Sequence, residues 1–130
     1  MSEAIGIRGP YPALVPYLLV ADAKALVAFL EVAFGAVLRF AAPSPTGGIT
    51  HGEIALGDSM LMISDAAAAP HAAVSLCHYV ADTDAVYEAA MSAGATSVRA
   101  PVTEHYGDRV AGIADPAGNT WWICAVSPTP

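Results

Sequence analysis

A six-residue run occurs twice along this chain, and it constrains the fold more than any other feature. Val20-Ala21-Asp22-Ala23-Lys24-Ala25 returns as Val80-Ala81-Asp82-Thr83-Asp84-Ala85, 60 positions later. Repetition at a fixed offset marks one supersecondary unit used twice. The pattern predicts a helix after each copy. In the first, Asp22 is an N-cap by type, and Leu26, Phe29, Leu30 and Ala33 form an i, i+3, i+4, i+7 stripe. Gly35 stands where a closing glycine belongs. In the second, Asp82 caps, Val86, Ala89, Ala90 and Ala93 repeat the stripe, and Gly94 closes it.

Strand-like runs flank both helices. Ala13–Val20 precedes the first, and Val37–Ala42, Ile49–Leu56 and Met60–Ser64 follow it. Ala73–Val80 precedes the second, and Ser97–Ala100, Arg109–Ala114 and Thr120–Ala125 follow it. The chain therefore reads β-α-β-β-β twice, an α+β arrangement within a single domain spanning 1–130. Module one covers about 11–65, a linker about 66–72, and module two about 73–126. The linker is rich in Ala, and 41–48 (AAPSPTGG) reads as a loop.

Composition narrows the function classes. Of the 130 residues, 55% are hydrophobic and 13% charged, which is ample material for a core. No apolar run reaches the roughly 20 residues of a membrane helix. Leu14–Val20 is short and holds Pro16, and the N-terminus lacks the basic and apolar regions of a signal peptide. A cytoplasmic protein is expected. The net charge of −7, with only five Lys or Arg, argues against nucleic acid and anionic membranes as partners. Two cysteines, Cys77 and Cys124, make no disulfide framework.

Particular residues carry a family resemblance over about 11–126. They include Val15-Pro16-Tyr17-Leu18-Leu19-Val20-Ala21-Asp22, His51-Gly52-Glu53-Ile54, Gly57-Asp58-Ser59-Met60-Leu61-Met62 and Tyr79-Val80-Ala81-Asp82. Tyr106-Gly107-Asp108-Arg109 and Asp115-Pro116-Ala117-Gly118-Asn119-Thr120-Trp121 complete the set, the last being the most specific. In these the chain resembles the vicinal oxygen chelate superfamily of glyoxalase I, bleomycin-resistance proteins and extradiol dioxygenases. More narrowly it looks like the PhnB-like group of glyoxalase-like bacterial proteins. The resemblance implies two tandem βαβββ modules forming curved mixed sheets around a cavity, commonly in a homodimer. In metal-dependent members, it implies four His or Glu ligands from the first and last strand of each module.

Counting from the matched motifs places those four positions at Val15, Met62, Ser75 and Trp122. Val and Trp have no donor for a divalent ion, Met is soft and weak, and Ser is poor. A slip of one residue brings in no better ligand, although it would exchange the faces of a strand. The expectation is no metal site, no cofactor and no metal-driven catalysis. The reading leans away from an enzyme.

Strand alternation from the same anchors carries the inward face to Tyr17, Met60, Cys77, Tyr79 and Cys124. A two-residue turn at Gly57-Asp58 sets Ala55 opposite Met60 and Glu53 opposite Met62, which brings in Glu53 and His51. Rings and thioethers suit a flat, polarizable ligand, and Glu53 a cationic or donor-rich one. The bland alternative is that the aromatic and Met set fills a closed core. Glu53 is then a carboxylate at a wet strand edge, and His51 a solvated histidine at a strand start. Tyr106 lies in a loop that the resemblance places near the cavity mouth. Arg109 either clamps an anionic group or pairs with Asp108 or Asp115. His78 falls on the opposite face and reads as structural. The two thiols read as small buried hydrophobes or as a soft-metal pair.

The expected function is metal-independent small-molecule binding, sequestering an aromatic or cationic compound such as an antibiotic. Its ligand-binding set is Tyr17, His51, Glu53, Met60, Met62, Cys77, Tyr79, Tyr106, Arg109 and Trp122. No catalytic residue is assigned. The alternative is a lyase, isomerase or dioxygenase-type enzyme that uses a non-standard metal site or acid–base chemistry by Glu53 and His51.

Overall fold

A computed structural model describes residues 5–6, 10–65 and 72–127. The six-residue repeat marks the start of two helices, as its capping residues dictate. Helix α1 runs Ala23–Phe34 and α2 runs Thr83–Ser92. The Asp22 carboxylate accepts the Ala25 N–H at 3.1 Å, and Asp82 accepts that of Ala85 at 3.1 Å. Each satisfies an amide that the helix itself leaves orphaned. Gly35 closes α1 at φ 68°, a left-handed conformation open to glycine without strain.

The strands are β1 (Ile5–Gly6), β2 (Tyr17–Val20), β3 (Val37–Pro43), β4 (Ile49–Leu56) and β5 (Ser59–Asp65). Then come β6 (Ser75–Tyr79), β7 (Thr96–Thr103), β8 (Arg109–Ala114) and β9 (Thr120–Ala125). They form two mixed sheets, ordered β1-β3-β4-β5-β2 and β6-β9-β8-β7. The first and last strands of each βαβββ module pair in parallel, and the other pairs are antiparallel. Two compact units result. One holds 1–31 and 35–71, the other 32–34 and 72–130.

Three strand expectations are met to the residue: 49–56, 109–114 and 120–125. The run 13–20 is a strand only from Tyr17, because Pro16 has no N–H to give to a ladder. Strand β1 has no counterpart in the sequence reading. Most of the expected linker lies outside the described residues.

In the first unit, Leu18, Val20, Ile54, Leu61 and Ile63 share one sheet face and are essentially buried, as are Leu26 and Leu30 of α1. In the second, Ala111, Ile113, Trp121 and Ile123 form the buried side of the sheet, with Ala90 of α2. The expected α2 stripe is only partly realised. Ala90 is fully buried, whereas Val86, Ala89 and Ala93 are half-buried. Among the described residues, no helix is long and apolar enough to cross a membrane.

Candidate functional site

Each sheet buries one face under its helix, so the chemistry to consider lies on the other. In the first unit the hairpin turn at Gly57 (φ 59°) fixes the register. Glu53 pairs with Met62, Ala55 with Met60, and Tyr17 with Met62 across the parallel side. Partners share a face, so Tyr17, Glu53, Met60 and Met62 stand together. His51 joins them two residues before Glu53, its ring 6.0 Å from that of Phe40.

A chain of hydrogen bonds runs through these side chains. Tyr17 Oη lies 2.8 Å from His51 Nδ1, and His51 Nε2 lies 2.9 Å from Glu53 Oε2. Tyr11 Oη donates to the same carboxylate oxygen at 2.8 Å. Glu53 is fully buried and the His51 side chain only 21% exposed, while 46% of Tyr17 faces solvent. The bland readings of both residues therefore fail. Glu53 is no wet edge carboxylate, and His51 is engaged at both ring nitrogens. A carboxylate at Oε2 sets the tautomer: Nε2 carries the proton, and Nδ1 accepts from Tyr17. Tyr11 was missed, because it sits between Pro10 and Pro12 where no periodicity marks a face.

In the second unit Trp122 pairs with Gly112 across β8 and β9. A Cβ at Gly112 would meet the indole at 2.7 Å, so the ring lies over the strand in space only glycine leaves open. Glycine inside a strand was the available signal for this. The Arg99 guanidinium carbon is 5.6 Å from the Trp122 centroid, and Arg99 Nη2 donates to Glu104 Oε2 at 3.1 Å. Cys77 pairs with Trp122 and Tyr79 with Cys124, so all four side chains share this face. Trp122 is half-buried, and Tyr79 and Tyr106 are exposed. Partial desolvation of its hydroxyl lifts the Tyr106 phenol above its ordinary pKa, and the nearby Glu104 and Asp108 carboxylates add to the effect.

Arg109 requires correction. Alternation sets it with Ala111 and Ile113 on the helix side, away from Trp122. There it grips Asp84 of α2 with two bonds, Nε–Oδ1 at 2.9 Å and Nη2–Oδ2 at 3.0 Å. The pair holds the Asp84 carboxyl below its usual range. Asp108 instead accepts the Ser127 N–H, and Asp115 organises the last hairpin. His78 stands edge-on to Phe34, ring centroids 4.7 Å apart, and burial lowers its pKa.

The donor sets do not fit the divalent ion of the metal-dependent members. In the first unit the positions are Val15 and Met62, in the second Ser75 and Trp122, whose indole is packed on Gly112. Among the described residues, no three His, Cys, Asp or Glu side chains cluster to hold a metal. A separate cavity of about 310 Å³ lies in the first unit, lined by Lys24, Val27, Glu31, Leu38, Pro43 and Ile49 among others. None of the residues predicted from sequence lines it.

Residues 13–123 match the family model of the glyoxalase/bleomycin resistance protein/dioxygenase superfamily. An uncharacterised protein of Mycobacterium bovis is 32% identical over 122 residues, covering 85% of this chain and 80% of its own. A Mycobacterium tuberculosis counterpart has the same identity, with 72% of its length covered. Among solved structures, TioX from Micromonospora sp. ML1 is similar with a TM-score of 0.77 at 23% identity, over 90% of this chain and 98% of its own. A glyoxalase/bleomycin resistance protein/dioxygenase family enzyme from Burkholderia phytofirmans gives 0.70 at 22% identity, over 86% and 96%. With the two βαβββ modules in place and the family model spanning both, the chain belongs to the glyoxalase/bleomycin resistance protein/dioxygenase superfamily.

Proposed function

We propose that this protein is a metal-independent small-molecule binder that sequesters a flat, aromatic, cationic compound such as an antibiotic. Within the superfamily we group it with the PhnB-like proteins, on the residues that carry that resemblance. The observation that carries the binding reading is Trp122. Its indole is half-buried over Gly112, on a face that also presents exposed Tyr79 and Tyr106. An exposed aromatic set of this kind offers stacking area without a donor set for a metal. The Asp108 carboxylate near Tyr106 favours a positive ligand, as does the net charge of −7, whereas Glu104 is already paired with Arg99.

The test is titration with planar dyes of the same size but positive, neutral or negative charge, followed by tryptophan fluorescence and calorimetry. We expect saturable binding that favours the cation. In Trp122→Ala the affinity should fall at least about tenfold, or ~1.4 kcal/mol. Affinity that is unchanged in Trp122→Ala, or the absence of saturable binding by any dye, removes this reading.

A further inference from the structure

The hydrogen-bonded chain on the first unit is more than an anchor for a ligand. We propose that Tyr17, His51 and Glu53 form a proton relay that catalyses proton transfer to and from a weak carbon acid, a C–H next to a carbonyl or on an electron-poor ring. This goes beyond binding at Trp122 and does not depend on it.

The parts stand in the order such chemistry needs. A reacting group must be reachable, its base must be within hydrogen-bond distance, and the base must be oriented by a third group. Tyr17 is 46% exposed, with its oxygen 2.8 Å from His51 Nδ1. His51 Nε2 is 2.9 Å from Glu53 Oε2, on a carboxylate that is fully buried. Tyr11 donates to the same oxygen and so fixes it in place. Away from bulk water, the carboxylate acts on the imidazole with less screening.

The balance is simple. The Tyr17 O–H proton moves to His51 Nδ1, leaving a phenolate beside an imidazolium. Glu53 offsets the imidazolium charge through the Nε2–H bond. The phenolate then takes a proton from the ligand's C–H, and the electron pair stays on the ligand, delocalised into its carbonyl or expelling a leaving group. Net, one proton passes from ligand to His51, and running the steps backwards returns it. Tyr17 and His51 are the catalytic residues, and Glu53 is a positioning residue. The titratable side chains placed against His51 among the described residues are Tyr17, Glu53 and, through Glu53, Tyr11.

The test uses nitrobenzisoxazole, whose isoxazole ring opens when a base removes the C–H beside its nitrogen, giving a coloured nitrophenolate. We expect turnover above the buffer rate. Tyr17→Phe and His51→Gln should each lower kcat/KM at least about a hundredfold, the lower end of what a positioned base contributes. Glu53→Gln should lower kcat with KM little changed, because the imidazolium loses its carboxylate; a merely structural role for Glu53 would not separate the two. Melting curves check that each variant is folded. Nitrogen NMR of the wild-type protein gives a readout that needs no variant: His51 should carry its proton on Nε2. A wild-type rate no higher than that of Tyr17→Phe, or an Nδ1-protonated His51, overturns the proposal. Loss of dye binding in Trp122→Ala with the relay rates intact would leave both ideas standing, so the two can fail separately.

Discussion

Two thiols on one sheet face meet solvent very differently. Cys77 is exposed and Cys124 buried. Burial pushes the Cys124 thiol up, and the neighbouring Cys77 and the Asp108 carboxylate push it further. The thiolate is the reactive species, so a raised pKa and a covered sulfur both slow reaction. Dithiobis(nitrobenzoate) at neutral pH should therefore release colour in two phases in the native protein. The fast phase should vanish in Cys77→Ser, and the slow one should be at least about tenfold slower, following thiolate fraction and access. Equal native rates for the two thiols would contradict the burial difference. At this scale the sequence was readable where local chemistry fixes a register. The Gly57-Asp58 turn set Glu53 against Met62, as observed. It was unreadable where partners are remote. Arg109 meets an acid 25 positions back on a helix. Arg99 sits between two register shifts in β7, which break the alternation that would have assigned its face.

The hairpin joining β8 to β9 shows how one carboxylate can hold an element. Asp115 is buried and accepts the N–H groups of Ala117 at 2.8 Å and Asn119 at 3.0 Å. It also accepts from Asn119 Nδ2 at 3.2 Å and from the Trp121 indole N–H at 2.8 Å. Asn119 Oδ1 in turn accepts the Val74 N–H at 3.0 Å, tying the hairpin to the approach of β6. The Asp-Pro-Ala-Gly-Asn segment was the most specific piece of the sequence, and these bonds are its physical content. Gly118 takes the positive φ of 89° that the turn needs. Removing the carboxylate strands several buried donors at once. Asp115→Ala should lower the unfolding free energy by about 2–4 kcal/mol in a urea titration, the range for breaking a buried charged network. Asp58→Ala, in an exposed turn, should stay within about 0.5 kcal/mol. Similar effects from the two changes would show that the Asp115 bonds contribute little. Elements marked by caps and turns were legible in this way, whereas the edges of β2 and β7 were not, because Pro16 and Pro101 interrupt their ladders.

Across the whole chain, duplication has a consequence for association. Each module has one helix, and the sheet face away from it carries part-exposed Met60 and Met62 or Trp122 beside buried Glu53 or Cys124. Each also leaves the first strand of its module, β2 or β6, at the end of its sheet. Beside the β2 edge stands Leu19, 49% exposed. An open edge beside apolar side chains is a template for pairing unless something covers it. The net charge of −7 opposes self-association, but its reach is about one Debye length and shrinks as salt is added. Contacts built on apolar faces therefore persist, or tighten, when charge repulsion is screened, whereas contacts built on ion pairs weaken. We expect a homodimer. Light scattering should give twice the chain mass at micromolar concentration, unchanged or more complete between about 0.05 and 0.5 M salt as screening grows. Leu19→Lys, which puts a charge into the face without touching the buried Leu18 and Val20 on either side, should shift the protein to single chains. A single-chain mass at both salt concentrations would mean that these edges are tolerated bare. A dimer indifferent to Leu19→Lys would mean that β2 is not part of the contact.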